Sequence, residues 1–343
     1  MKNKFSTAFI CPSTGKQLIL KNNQSRGADS IWLVSQDEAS SYPVIGGVPR
    51  FVPQDSYADS FGYQWNKYDR LQLDSHNGTQ FSSDRFYTIT EWTPEELCGK
   101  KVLDVGCGAG RFAEVALKAG ACVVGLDLSG AVDACRKNFK DVQALEVVQA
   151  SIYEMPFSKN SFDYVYSIGV IQHTPDPERS VRQIARMVKA GGQIGLWIYE
   201  RSWRSYFGTV AFKYLLRPWT KKMSSQQIEK FSWSLERLCW PIIRVAKRSG
   251  FPGKLVMRML PVASAYLQGV PLSDEDFREW VRLDTFDMYS PAHDHPLTFS
   301  QVMKWLEEEG FSLIKRHPHR GISLTASRTD DTAFDLTSAS DKS

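Results

Sequence analysis

The chain contains no C-x-x-C pair. Its six cysteines (Cys11, Cys98, Cys107, Cys122, Cys135 and Cys239) are scattered through 343 residues, several of them inside apolar stretches. That spacing argues against a cluster of paired thiolates and against a disulfide-stapled scaffold, and fits small core residues in a reducing compartment. No apolar run approaches the roughly 20 residues of a membrane span. The opening residues Met1 to Thr7 lead into no apolar stretch of signal-peptide length. A cytoplasmic location is therefore expected. Acidic residues are scarce in one window: residues 201–260 hold thirteen Lys and Arg against two Glu. That window carries +11, while the whole chain is +4, so the remainder is net negative at −7. Apolar content of 42% and charged content of 23% are those of an ordinary globular protein.

What the chain does have is concentrated between Lys101 and Asp127. Val102 to Val105 reads as a short buried strand, and Gly106, Gly108 and Gly110 turn it into a helical stretch from Arg111 that stops at Gly120. Ala121 to Leu126 is a second strand, ending in Asp127. A glycine turn between strand and helix lets a ligand approach bare backbone and meet the unpaired amides of a helix start. The distance from Gly106 to Asp127 is close to the ~20 positions separating such a turn from a ribose-binding carboxylate. A dinucleotide site would space its glycines G-x-G-x-x-G around a pyrophosphate. Here the order is Gly106-x-Gly108-x-Gly110, with Asp104 just before it, where a carboxylate repels a pyrophosphate and attracts a cationic amino group.

Asp104-x-Gly106-x-Gly108-x-Gly110 closely resembles the first motif of class I S-adenosylmethionine (SAM) dependent methyltransferases. The resemblance implies SAM as cofactor, with Asp104, Gly106, Gly108 and Gly110 at its methionyl end and Asp127 with Leu128 at the ribose. It places Ser151 and Ile152 at the adenine, where the family commonly has an Asp in the position of Ser151. Met155-Pro156-Phe157 and Ser161 to Ser167 match the next landmarks, and Ile168 and Gly169 follow at the floor of the site.

Ser129 is the expected N-cap of a helix from Gly130 to Phe139. Strands are expected at Ala144 to Ala150, Tyr164 to Ser167 and Gln193 to Tyr199, with a helix from Pro177 to Ala190 before the last of these. Strands alternating with helices give an α/β class, a Rossmann-like doubly wound sheet of seven strands. A hairpin of Phe311 to Arg316 and Gly321 to Ala326 completes that sheet after a helix from Gln301 to Glu309. The expected organisation is a small β-rich segment over 1–55, a SAM-binding core over 56–200, a basic aromatic helical insertion over 201–283, sheet completion over 284–328 and a disordered tail over 329–343. The first segment resembles zinc ribbons that accompany some methyltransferases, but Thr14 stands where a second thiolate belongs, so no metal is expected. Aromatic helices are expected at Tyr57 to Tyr68 and Phe81 to Trp92, and Asp284 to Pro296 reads as a polar loop.

Methyl transfer needs an aligned acceptor and, for oxygen or carbon acceptors, a base. His173, after the fourth strand, is the first candidate because ligands lie beyond the carboxyl ends of such strands. Tyr289 and His293, with Asp287 and His295, form a second group. The expected acceptor is a small molecule or a lipid- or sugar-linked group, methylated at oxygen. The basic aromatic window suits an anionic membrane surface, and nucleic acid is disfavoured because no recognition motif accompanies the charge. An RNA or protein methyltransferase and a catalytically idle SAM-binding regulator are the alternatives. Oligomeric state is not readable.

Overall fold

The computed structural model describes residues 6–22, 31–52, 57–202 and 207–329. Trp203, Arg204 and Tyr206 of the basic window lie outside the described residues. So does the expected tail, apart from Thr329, whose amide and hydroxyl both donate to the Gly310 carbonyl.

The first four strands, β1 (Leu18–Asn22), β2 (Ile31–Ser35), β3 (Ser41–Ile45) and β4 (Val48–Pro49), make a small antiparallel sheet in sequence order. It docks beside the main sheet: the Phe51 amide donates to the Gln149 carbonyl at 2.8 Å, and Arg50 pairs with Asp133. The Cys11 thiol lies among the hydroxyls of Ser13, Ser40 and Tyr42.

The main sheet has seven strands: β5 (Lys101–Val105), β6 (Cys122–Asp127), β7 (Leu145–Gln149), β8 (Phe162–Ile168), β9 (Val188–Ile198), β10 (Phe311–Arg316) and β11 (Ile322–Arg328). Their order is β7-β6-β5-β8-β9-β11-β10; β5 to β9 run parallel, and β11 is antiparallel to both neighbours. From β5 the chain first winds toward β7 and then returns to β8 on the other side. A crevice therefore opens beyond the carboxyl ends of β5 and β8, where the winding reverses.

Helices cover both faces. They are α1 (Asp59–Lys67), the single turn α2 (Asp74–Asn77), α3 (Phe81–Thr90), the single turn α4 (Pro94–Leu97), α5 (Arg111–Lys118), α6 (Ala131–Asn138) and α7 (Pro177–Ala185). Between β9 and the closing strands come α8 (Thr209–Thr220), α9 (Ser225–Ala246), α10 (Gly250–Arg258), α11 (Asp274–Tyr289) and α12 (Phe299–Glu308). Helices α8 to α11 form a cap with its own core, in which Ile243, Met257, Trp280 and Val281 are fully buried. Glu236 of α9 is fully buried and accepts from Arg278 at 2.7 Å and Arg282 at 2.9 Å, so α11 is fastened to α9 by two cations on one carboxylate.

Three local readings are corrected. Ser129 is not the N-cap of α6; Gly130 is, and the Ser129 hydroxyl donates to Asp127 while accepting from the Ala131 amide. The helix expected to Ala190 ends at Ala185, and β9 already starts at Val188, because Gly191 and Gly192 sit in a register shift against β8 rather than at a helix stop. A Cβ on Gly192 would come within 2.6 Å of the Asp163 carbonyl oxygen. Asp284 to Tyr289 is not loop but the end of α11. The carboxylates of Asp284 and Asp287 that made it look solvent-facing turn inward.

Candidate functional site: a glycine cradle beside a charged chamber

Strand β5 ends under the turn at Gly106, which has φ +82°, a conformation that a side chain would strain. A Cβ there would also lie 2.3 Å from a Val170 methyl group. Gly108 lies beneath the Trp65 indole of α1, which a Cβ would meet at 3.2 Å. Bare backbone is therefore required on both sides of the turn.

Asp104 is buried below the cradle, and one of its carboxyl oxygens has no partner. Burial drives this carboxyl up to about 8, with the Tyr166 hydroxyl opposing the rise. An approaching cation would return it to the ionised form. Asp127, at the end of β6, accepts from the Gly108 amide at 3.0 Å and from the Ser129 amide and hydroxyl at 2.8 and 2.7 Å. Burial raises its carboxyl, and those hydrogen bonds hold it down. The two carboxylates expected from sequence thus flank one turn, and Asp127 is tied to the turn's backbone. Leu128 is half-buried beside them, its carbonyl accepting from Gln149 at 3.0 Å.

Ile152 is buried after β7. The Ser151 hydroxyl accepts from the Tyr153 amide at 3.2 Å, so it also serves a local turn. Ile168 ends β8, and Gly169 (φ +80°) donates to the Trp197 carbonyl at 2.9 Å.

His173 ends a 3-10 turn, Ile171–His173, just past β8. Its Nδ1 lies 3.0 Å from the His293 carbonyl, which can only accept, so Nδ1 carries the proton and Nε2 is left with a free lone pair. Nε2 is buried and has no partner. Burial pushes the imidazole down to about 4, and the Lys213 charge adds to the effect. The ring sits between Phe61 and Tyr199, with centroids 5.5 and 5.4 Å away.

Around His173 lies a charged chamber that the sequence did not announce. Lys213 of α8 and Asp294 form a buried ion pair at 2.7 Å, with the ammonium 5.0 Å from the centre of the Tyr199 ring. Burial raises Asp284 to about 8, with a further push from Asp287; burial also raises Asp287, to about 6, although Lys213 opposes it. Both side chains keep part of their surface open. Arg111 donates to Gln72 and Ser82 at 2.9 Å, Gln72 reaches Asp284 at 3.4 Å, and Arg85 stacks on Trp197 at 4.5 Å. Several polar atoms here have no hydrogen-bond partner: Arg85 Nε, both amide atoms of Gln172 and Asp294 Oδ1. An open pocket of about 420 Å³ bounded by Arg201, Asp294, His295 and Trp305 reaches this wall from outside.

His293 belongs to this neighbourhood through its backbone, and its ring stacks on His295 and meets Tyr57 edge-on. Tyr289 does not. It is fully buried in the cap, its hydroxyl donating to the Pro261 carbonyl at 3.0 Å, because it lies on the last turn of α11 and not on a loop. Among the described residues no group of three or more His, Cys, Asp or Glu is placed to hold a metal ion. Lys213, Asp284, Asp294, Arg85 and Gln172, which line this charged wall, were not singled out from the sequence. The available signal was the pair Lys213 and Arg217, one turn apart on α8 and on a different face from the exposed Leu215 and Trp219.

The cradle fits SAM: an orphaned buried carboxylate lies below, a second one borders the turn, and the backbone between them admits no side chain. Residues 103–196 match a family described as a methyltransferase domain. A ubiquinone biosynthesis O-methyltransferase of Coxiella burnetii is 34% identical over 117 residues, 33% of this chain and 50% of that one. One from Pseudomonas fluorescens is 34% identical over 135 residues, 37% and 57% of the two chains. The match thus spans about half the length of these curated relatives. A solved SAM-dependent methyltransferase from Methanosarcina mazei is 15% identical, covers 68% of this chain and 94% of that one, and has a TM-score of 0.39. With its strand order, its glycine cradle and the matched stretch taken together, the chain carries a class I SAM-dependent methyltransferase domain, for which SAM is the methyl donor.

Proposed function

We propose that this protein transfers a methyl group from SAM to a hydroxyl oxygen of a small molecule or of a lipid- or sugar-linked acceptor, with His173 as the base. The supporting observation is the state of His173: a buried, neutral imidazole with Nδ1 committed to the His293 carbonyl and Nε2 unpartnered. In this reading Asp104, Gly106, Gly108 and Gly110 hold the methionyl end, Asp127 and Leu128 the ribose, and Ser151 and Ile152 the adenine. Ile168 and Gly169 form the floor. Bound SAM supplies an already activated methyl, so the chain's own work is alignment and proton removal.

The acceptor hydroxyl donates to His173 Nε2, and its proton passes there as the oxygen attacks. The resulting imidazolium keeps its Nδ1 hydrogen bond and is offset by the Asp294 carboxylate, while Lys213 limits how strongly the proton is held. Phe61 and Tyr199 shield the ring from water. The neutral end of the acceptor meets Asp284, Asp287, Arg85 and Gln172, a set rich in both donors and acceptors, as a hydroxylated group requires. His293 acts through its backbone carbonyl by fixing the tautomer. The basic window over 201–260 turns toward an anionic membrane that presents the acceptor.

The test is transfer of labelled methyl from SAM into fractionated cell extract. His173→Ala is expected to lower turnover by about 10²- to 10⁴-fold with SAM affinity retained. Equal turnover in the two proteins removes His173 from the mechanism.

A further inference from the structure

From Arg237 to Ser273 the chain runs 37 residues with six basic side chains and no Asp or Glu. This run builds the second half of α9 and all of α10. Their inner faces are occupied: Cys239, Ile243 and Ala246 are buried, and Gly253 packs so closely on Ala246 that a Cβ would overlap its carbonyl. The outer faces are apolar as well. Leu238, Ile242 and Val245 share one exposed stripe of α9, with Leu238 74% and Val245 68% exposed. Phe251 and Leu255 of α10, with Met259 at its C-terminal cap, repeat the pattern, with Phe251 71% exposed. A helix facing only water carries polar residues there.

Charge decides the occupant. Arg237 and Arg244 of α9, with Arg248 in the turn just after it, are exposed and flank the leucine stripe. None makes an ion pair within 4 Å among the described residues, although Asp274, which pairs with Lys247, also feels the charges of Arg248 and Arg244. A second copy of the chain, docked about a two-fold axis, would set one basic patch against another. A bilayer with anionic headgroups offers phosphates to the arginines and acyl chains to the leucines and phenylalanine. Among the described residues no helix is long and apolar enough to cross a membrane, so this contact lies in the plane of the surface.

We propose that the outer face of α9 and α10 docks on an anionic lipid surface. This deepens the membrane part of the reading above, and it is read by vesicle binding alone, so its outcome is separate from that of methyl transfer. The full chain is sedimented with vesicles of phosphatidylcholine, with and without phosphatidylglycerol. Binding to the anionic vesicles, weakening as salt rises, is expected. R237E/R244E/R248E is expected to lose on the order of a hundredfold in affinity for them. L238N/V245N is expected to bind weakly even at low salt, and both variants should keep the wild-type melting midpoint. Three results overturn the proposal: no binding of the wild type, salt-insensitive binding that ignores phosphatidylglycerol, or a solution dimer that L238N/V245N dissolves without any vesicle binding.

Discussion

The cradle and the chamber are built in opposite ways. The cradle is a local object: Asp104, Gly106, Gly108 and Asp127 lie within one strand-helix-strand unit, and its walls are mostly backbone. The chamber is assembled from side chains spread between Gln72 and Asp294, across the loop before α2, α3, α5, α8, α11 and the loop after α11. The first is held by hydrogen bonds such as Gly108 to Asp127, the second by charges whose protonation depends on one another. A site made of backbone is fixed by its fold. A site made of buried charge is adjustable by its acidity and by what enters it.

That contrast can be broken or sharpened by substitution, most forcefully at the turn. Gly106→Val introduces a Cβ where φ is +82° and Val170 is already in contact. It should cost about 2–4 kcal/mol of stability and abolish the heat of SAM binding. A variant that binds SAM normally would show that the cradle is less rigid than claimed.

Acidity should act on the chamber through Asp284, and it reaches the cradle only through Asp104 beneath the turn. Asp104 and Asp284 have folded pKa values near 8, above those of the unfolded chain, so the folded state holds more protons than the unfolded one up to that pH. Their contribution to stability therefore falls as pH rises through this range. His173, depressed to about 4, acts in the other direction, but only below its unfolded value near 6.5. Between about pH 6.5 and 8 the two carboxyls should drive urea midpoints down against the opposing Cys11 thiol, which, despite its burial, neighbouring hydroxyls bring to about 6. Asp284→Asn should flatten that decline; an unchanged slope would place its carboxyl in ordinary solvent.

The smallest effect is expected at Ser151→Ala. Its hydroxyl already serves the Tyr153 amide, so SAM affinity should fall by no more than about threefold. A much larger loss would make Ser151 a principal adenine contact.

These differences also explain what the sequence revealed. The sheet was legible because β5 to β8 are short apolar runs cut by glycine and acidic turns, and the cradle because glycine spacing is itself the chemistry. His173 could be placed from its position after a strand. The chamber was not legible, since Lys213 reads as one of thirteen cations in its window and Asp284 reads as solvent-facing loop. Buried charges look like surface charges until partners from distant segments are known. The same effect hid the end of α11 and put Tyr289 on a loop that begins only after it.

The account rests on SAM sitting between the Gly106 turn and the Asp127 carboxylate. Calorimetric titration of SAM into the wild type and Asp127→Ala tests this most directly. A loss on the order of 10- to 100-fold, with the variant still cooperatively folded, is predicted from removing hydrogen bonds to a charged group. Unchanged affinity in the variant would contradict it.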